Sequence, residues 1–222
     1  MNQSNLMESE KGVKLVSITA PTIDGIKNAE EIIVYCARVS NPANQGNMET
    51  SPKLIKFLIK HKHWSPFELA NMCVEIKTSR AIAAQILRHR SFSFQEFSQR
   101  YSEATDIEPL ELRKPADKNR QSSSEIINDT ELYGRVQQSL NNSLKVYHEL
   151  IEAGVAKECA RGVLPLNTQT TMYMNGSVRS WVHYISLRSE DNTQKEHRDV
   201  ANKIKKIFIE NFPNISSALD WS

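Results

Sequence analysis

Between Arg88 and Tyr101 the chain reads RHRSFSFQEFSQRY, so Arg88, His89, Arg90 and Arg100 are interleaved with Phe92, Phe94 and Phe97 around one carboxylate, Glu96. Few local folds accommodate that mixture. A solvated face does not expose phenylalanines in such close succession, and a packed interior does not take so many basic groups without anionic partners. The chain must turn the segment so that its rings go inward while its cations gather, which marks it as a site. On an ideal helix Gln85 and Arg88 share a face, whereas Arg88 and Arg90 point to different sides and so serve different ligand groups. An arginine fork matches phosphate in geometry and charge, an amide such as that of Gln85 suits a base edge, and serine hydroxyls donate to phosphate oxygens. Together they describe a nucleotide pocket. A plainer alternative stays open, with Arg88 closing a helix C-terminus, Arg90 and Arg100 paired to Glu96 and Glu103, and the phenylalanines as core.

The remaining sequence narrows the setting. Its 222 residues suit one domain with a substantial core, and 39% hydrophobic with 24% charged residues describes a soluble globular chain. A formal net charge of +2 is too small for a general nucleic-acid binder, so anion recognition has to come from local clusters. Cys36, Cys73 and Cys159 are odd in number and widely spaced, which suggests neither a disulfide framework nor a metal site and points to a reducing, cytoplasmic setting. The opening MNQSNLMESEKG lacks the basic-then-apolar pattern of a signal peptide, and no run has the length of a membrane span. No G-x-G-x-x-G is present, so a dinucleotide, if bound, is not held by a Rossmann loop.

Periodicity predicts strands over Val13–Ile18, Leu69–Lys77 and Thr168–Met174. It predicts helices over Lys27–Val39, Ser51 to about His61, Ser79–Leu87, Glu131–Ala153, Ala156–Gly162, Ser177–Leu187 and Gln194–Phe212. Ser51 is the expected N-cap of the second helix, with Pro52 in its first turn, and Gly154 the stop of the longest. The helix SRAIAAQIL is apolar almost all round and should be buried, while Asp106–Ser124 reads as an exposed excursion. Strands and helices do not alternate strictly. The expectation is therefore an α+β fold, a mixed or antiparallel sheet packed with long helices, in one domain over residues 13–222 after a flexible tail over residues 1–12.

Read as R-H-R-x-x-S-x-Q-E-x-S-x-R-Y, the opening segment resembles the signature of flavin-dependent thymidylate synthases, with Gln95 where that pattern has Asn. HWSPFE at His63–Glu68, ECARGVLPLN at Glu158–Asn167 and RSWVHYISLR at Arg179–Arg188 resemble further elements of the family in its order, and ARVS at Ala37–Ser40 a shorter upstream one. Leu69 stands where the family commonly has His. The resemblance implies synthesis of thymidylate from deoxyuridylate (dUMP), with 5,10-methylenetetrahydrofolate giving the carbon and NADPH the hydride through FAD. It implies that Gln85, Arg88, Glu96, Ser98, Gln99, Arg100, Arg161 and Arg188 line the dUMP pocket. Arg188 is the foremost catalytic candidate, beside Ser98 and His63, because a permanent cation stabilises the N3-ionised pyrimidine. For FAD it implies Ser40, Ser65, Arg88, His89, Arg90, Glu96, Ser177, Val178, Arg179 and His183, and for the assembly a homotetramer with shared active sites. Neither nucleic acid nor membrane is an expected partner. Two other readings remain: a related enzyme acting on another pyrimidine, and an RNA-binding module stacking bases on phenylalanine. Locally, His63 is equally placed to cap a helix, Arg161 to hold Glu158, and Cys159 to sit as a small buried residue.

Overall fold

The computed structural model describes residues 12–104, 106–119 and 121–221. Residues 1–11 of the expected tail lie outside them, and Gly12 already accepts a hydrogen bond from the Lys77 amide at 2.9 Å. In chain order the elements are β1 (Val13–Ile18), α1 (Ala29–Ala37), α2 (Ser51–Lys60), β2 (Asn71–Ser79), α3 (Arg80–Ile86), β3 (Ser93–Glu96), β4 (Arg113–Pro115) and β5 (Ser123–Ile126). They continue with α4 (Thr130–Glu152), α5 (Lys157–Ala160), β6 (Gln169–Ser177), α6 (Val178–Arg188), α7 (Lys195–Asn211) and α8 (Pro213–Ala218).

The strands pair antiparallel in the order β1-β2-β6-β3. β2 and β6 form the centre, in register from Asn71 opposite Ser177 to Ser79 opposite Gln169. Their side chains alternate: Met72, Val74, Ile76, Met172 and Met174 are fully buried on one face, while Lys77 and Tyr173 turn to the other. The buried face meets Ile82 and Ile86 of α3, Trp181 and Ile185 of α6, and Ile204 and Phe208 of α7 in one core. Trp181 satisfies its indole N–H on the Met72 carbonyl at 2.8 Å, so the largest core side chain is also a pin between α6 and the sheet. The α+β expectation holds, with an antiparallel sheet among the described residues.

Helix starts follow side-chain chemistry. Asn28, Ser79, Asp129 and Ser177 each accept an amide of the first turn and so cap α1, α3, α4 and α6. Ser51 does not cap α2: it lies inside the helix, buried, with its hydroxyl on Met48 Sδ at 3.4 Å, and Thr50 takes the cap position without a side-chain bond. The helix of SRAIAAQIL is only part-buried, since Ala84 and Leu87 are exposed. The expected excursion holds β4 and the start of β5, a hairpin that runs two residues past it and that Arg113 ties back through Glu111 and Glu196. α4 buries only Leu140 and Tyr147 along its length, Tyr147 in a small second cluster with Ala104 and Ala160, and ends at Gly154, whose φ of 83° suits glycine.

Candidate active site

β2 and β6 each end in a serine that is also a helix cap, so sheet and site share their joints. From Ser79 the short α3 carries Gln85 and then stops, which releases Arg88, His89 and Arg90 into a turn before β3. Phe92 anchors that turn in the core, its ring 4.7 Å from Trp181 and 5.9 Å from Tyr184, centroid to centroid. Gly176 lets the ring in, because a Cβ there would lie 2.4 Å from Phe92 Cδ1. With Phe92 inside, Arg88 and Arg90 are left exposed, and neither side chain has a partner among the described residues. Phe92 and Phe94 thus pack against the core while Arg88 and Arg90 face outward.

α6 supplies the other wall. Ser177 accepts the Ser180 amide at 3.3 Å and donates to Glu68 Oε2 at 2.5 Å, while Glu68 Oε1 pairs with Arg179 at 3.0 Å. At the far end, Arg188 Nε donates to His89 Nε2 at 2.9 Å. A guanidinium only donates, so that imidazole nitrogen is bare and the His89 proton sits on Nδ1. Burial, then the charges of Arg188 and His183, bring the His89 pKa down to about 4, which keeps it a neutral acceptor at physiological pH. A cavity of about 680 Å³ opens beside these groups, with Trp64, Val182 and Leu219 as apolar walls and Glu68, Ser91, Arg179 and His183 as polar ones.

Other expected site residues fall into separate groups. Gln85 bonds His197 and Gln194. Arg100 pairs with the Glu158 carboxylate at 3.2 Å, and Arg161 Nε bonds the Glu158 carbonyl at 3.3 Å, so Glu158 draws these two guanidiniums together. Glu96 pairs with Arg80 at 3.2 Å and accepts from Thr170 at 2.9 Å, and Glu103 pairs with Lys157, which sets aside the alternative pairing of Glu96 and Glu103 with Arg90 and Arg100. Ser98 is exposed beside the buried Gln99, whose Nε2 has no partner. His63 is exposed and its ring packs 6.0 Å from Phe57, just beyond α2, whereas Ser65 sits next to the cavity wall at Trp64. Ser40 lines a second hollow of about 530 Å³ with Arg38, Lys53 and Phe57. Val178 is fully buried with its amide on the Ala70 carbonyl at 2.8 Å. Cys159 is exposed rather than buried.

No hydrogen bond or ion pair among the described residues joins the Arg188–His89 group to the Arg100–Glu158–Arg161 group. Sequence reasoning missed Glu68, Arg80, Tyr184 and His197. Glu68 and Tyr184 lay inside the quoted HWSPFE and RSWVHYISLR stretches, but the partners of Glu68 are more than a hundred residues away and that of Tyr184 is on the next helix, and Arg80 and His197 carried no local signal. Among the described residues no group of three or more His, Cys, Asp or Glu is placed to hold a metal ion.

Unpaired guanidiniums in a glycine-dependent turn, a neutral histidine orienting a third, and an adjoining apolar cavity define a nucleotide-binding α+β protein. The comparisons narrow that class. Residues 22–214 match the family model described as thymidylate synthase complementing protein. The chain is 52% identical to the probable flavin-dependent thymidylate synthase of Paramecium bursaria Chlorella virus 1, over 94% of this chain and 98% of that one. It is 50% identical to the flavin-dependent thymidylate synthase of Synechocystis sp., over 94% and 99%. Its fold matches the crystal structure of a UMP/dUMP methylase, PolB, from Streptomyces cacaoi bound with 5-Br dUMP, at TM-score 0.76 and 26% identity, covering 96% of this chain and 95% of that chain. The chain belongs to the flavin-dependent thymidylate synthase family.

Proposed function

We propose that the chain methylates uracil C5 of dUMP to give thymidylate, taking the carbon from 5,10-methylenetetrahydrofolate and reducing equivalents from NADPH by way of FAD. The observation that carries this reading is the pair of exposed, unpartnered guanidiniums of Arg88 and Arg90, which flank His89 of the Arg188–His89 contact in one turn whose next residue, Ser91, lines the 680 Å³ cavity. The donor set fits a flavin dinucleotide. Arg88 and Arg90 suit its pyrophosphate, the apolar walls at Trp64 and Val182 suit a ring system, and Arg179 and His183 on α6 suit its anionic and polar edges. When bound, the flavin supplies hydride transfer, a chemistry no side chain here offers.

The protein's own contribution is electrostatic and positional. His89, kept neutral, orients Arg188 through Nε and leaves the two terminal nitrogens of the guanidinium for the pyrimidine. A fixed cation there favours the N3-ionised base, whose electron density at C5 is what attacks the carbon donor. Arg100, Arg161 and Ser98 suit the phosphate, and Ser40, Ser65, Glu96, Ser177 and Val178 complete the FAD assignment, the last through its backbone only. Arg100 and Arg161 gather around Glu158 with no hydrogen bond or ion pair to the Arg188–His89 group among the described residues, and we read them as two partial sites. That division supports completion of each site by a neighbouring subunit in a homotetramer. Burial raises the pKa of the Cys36 and Cys73 thiols, which agrees with a route that uses no thiolate nucleophile. No helix among the described residues is long and apolar enough to cross a membrane, and we place the enzyme in the cytoplasm.

The test is spectroscopic. The purified protein should show flavin absorbance that bleaches with NADPH and returns, with thymidylate formed, when dUMP and methylenetetrahydrofolate are added. A protein that neither carries nor takes up flavin contradicts the proposal, and a bleaching protein that methylates another pyrimidine instead points to the related-enzyme reading.

A further inference from the structure

α7 places His197, fully buried, directly behind Gln85. His197 Nδ1 lies 3.2 Å from Gln85 Oε1, and its Nε2 lies 3.0 Å from the Tyr184 hydroxyl. On the other side of the amide, Gln85 Nε2 donates to Gln194 Oε1 at 2.7 Å, and Gln194 Nε2 donates to Glu196 Oε2 at 2.9 Å. Glu196 Oε1 takes Arg113 Nη2 at 2.6 Å. These contacts form one chain of hydrogen bonds, and its direction is set from the carboxylate end.

An ionised carboxylate only accepts. Burial works against ionisation of Glu196, but its own backbone amide, Arg113 and Gln194 outweigh it and hold the carboxyl below its usual pKa. Gln194 must therefore turn its Nε2 to Glu196 and its Oε1 to Gln85. Gln85 must answer with Nε2, which leaves its Oε1 facing His197. That oxygen needs a donor, so His197 carries its proton on Nδ1 and offers a bare Nε2 to the Tyr184 O–H. Tyr184, fully buried and with its pKa raised by burial, keeps that proton. Neither amide can flip, nor His197 change tautomer, without breaking the sequence of donors and acceptors. Among the described contacts one N–H of the Gln85 amide remains uncommitted.

We infer that His197, backed by Tyr184, is a positioning residue that locks from the buried side the Gln85 amide polarity set by Glu196 and Gln194, so that Gln85 meets the pyrimidine with an N–H donor rather than a carbonyl. This rests on the proposed role of Gln85 in binding dUMP. A donor fixed there pairs with a uracil carbonyl oxygen and opposes the exocyclic amine of a cytosine, so the buried chain acts as a specificity device.

The experiment uses the flavin-loaded enzyme and compares dUMP with dCMP, both as ligands in direct titration and as competitors in turnover. His197→Leu removes the donor to Gln85 Oε1 and leaves the amide held by Gln194 alone, so that its flipped orientation becomes accessible. The dissociation constant for dUMP should rise about tenfold, the scale of one hydrogen bond, and the preference for dUMP over dCMP should narrow by a similar factor while kcat changes little. His197→Asn, which sets an amide N–H near the position of Nδ1, should recover most of the preference although it leaves Tyr184 unpaired. Glu196→Gln probes the same chain from a more exposed end, since a glutamine can accept from its neighbour as well as donate, and it should narrow the preference even where His197→Leu does not fold. A purely structural role lowers thermal stability without moving the ratio, so an unchanged dUMP/dCMP preference in the folded variants overturns the inference. Wild-type enzyme that binds dUMP but forms no thymidylate refutes the proposed function and leaves the affinity comparison decisive, whereas no dUMP binding at all refutes both.

Discussion

Gly176→Ala tests whether the cation turn is held by its aromatic anchor. The added methyl would lie 2.4 Å from Cδ1 and 2.6 Å from Cε1 of Phe92, where carbon atoms ordinarily rest at about 3.5–4.0 Å. The ring must then retreat by about 1 Å or more. It cannot retreat freely, because Trp181 stands 4.7 Å away and Tyr184 5.9 Å away, centroid to centroid, and Tyr184 in turn packs 4.8 Å from His89. Overpacking of this kind costs about 1–3 kcal/mol, which in a chain of this size lowers Tm by roughly 2–12 °C. The displacement also reaches His89, and through it the guanidinium of Arg188. Thermal unfolding and flavin retention should therefore both suffer in Gly176→Ala. In Gly176→Ala/Phe92→Leu, where a smaller side chain meets the methyl, the two effects should fall short of their sum by about 1 kcal/mol. Strict additivity, or a Gly176→Ala protein with wild-type Tm and flavin content, would refute the anchoring role.

Four further outcomes are expected. Arg188→Ala should abolish turnover with flavin still bound and, by removing the second-largest influence on His89, raise that imidazole's pKa in an NMR titration. Arg90→Ala should weaken flavin retention more than dUMP binding, measured as flavin content after purification. His197 has its folded pKa lowered to about 4, by burial first and then by Arg188 and His89, from an ordinary 6.5. Its stabilising contribution is therefore complete above pH 6.5, is lost as pH falls through about 4, and amounts to about 3 kcal/mol in denaturant titrations, a slope that His197→Phe should flatten. Glu30, 2% exposed, accepts the Ile215 amide and Asn214 Nδ2, each at 2.8 Å, at the start of α8; Glu30→Ala leaves the buried Ile215 amide without its partner and should cost about 1–3 kcal/mol in chemical unfolding.

Much of the fold is written in local chemistry. Alternation in LANMCVEIK and helical periodicity from Lys27, Ser79 and Ser177 locate the central strand and the helices that flank it, because burial on one face is a local demand, while the caps at Asn28, Ser79 and Ser177 emerge only in the structure. β3 escaped notice since its four residues lie inside a segment whose mixed cations and rings read as a site and show no clear period, and the β4–β5 hairpin since Arg113 is fixed by Glu196, far along the chain. Ser51 was misread because a serine before a proline satisfies the cap rule equally well one residue inside the helix. In the site, motif chemistry singled out Arg88, His89, Arg90 and Arg188, yet only the folded chain shows Arg188 resting on His89 and Glu96 taken up by Arg80. His197 was invisible in sequence and Tyr184 only one letter of the quoted RSWVHYISLR, as their significance lies in a buried contact between α6 and α7.

The most direct measurement is tritium release from C5-labelled dUMP by the purified, flavin-containing protein, supplied with methylenetetrahydrofolate and NADPH, with thymidylate quantified in the same tube. Release that matches thymidylate formed, and that disappears in Arg188→Ala, is the expected result. A protein that retains flavin and binds dUMP yet releases no tritium contradicts methylation at C5.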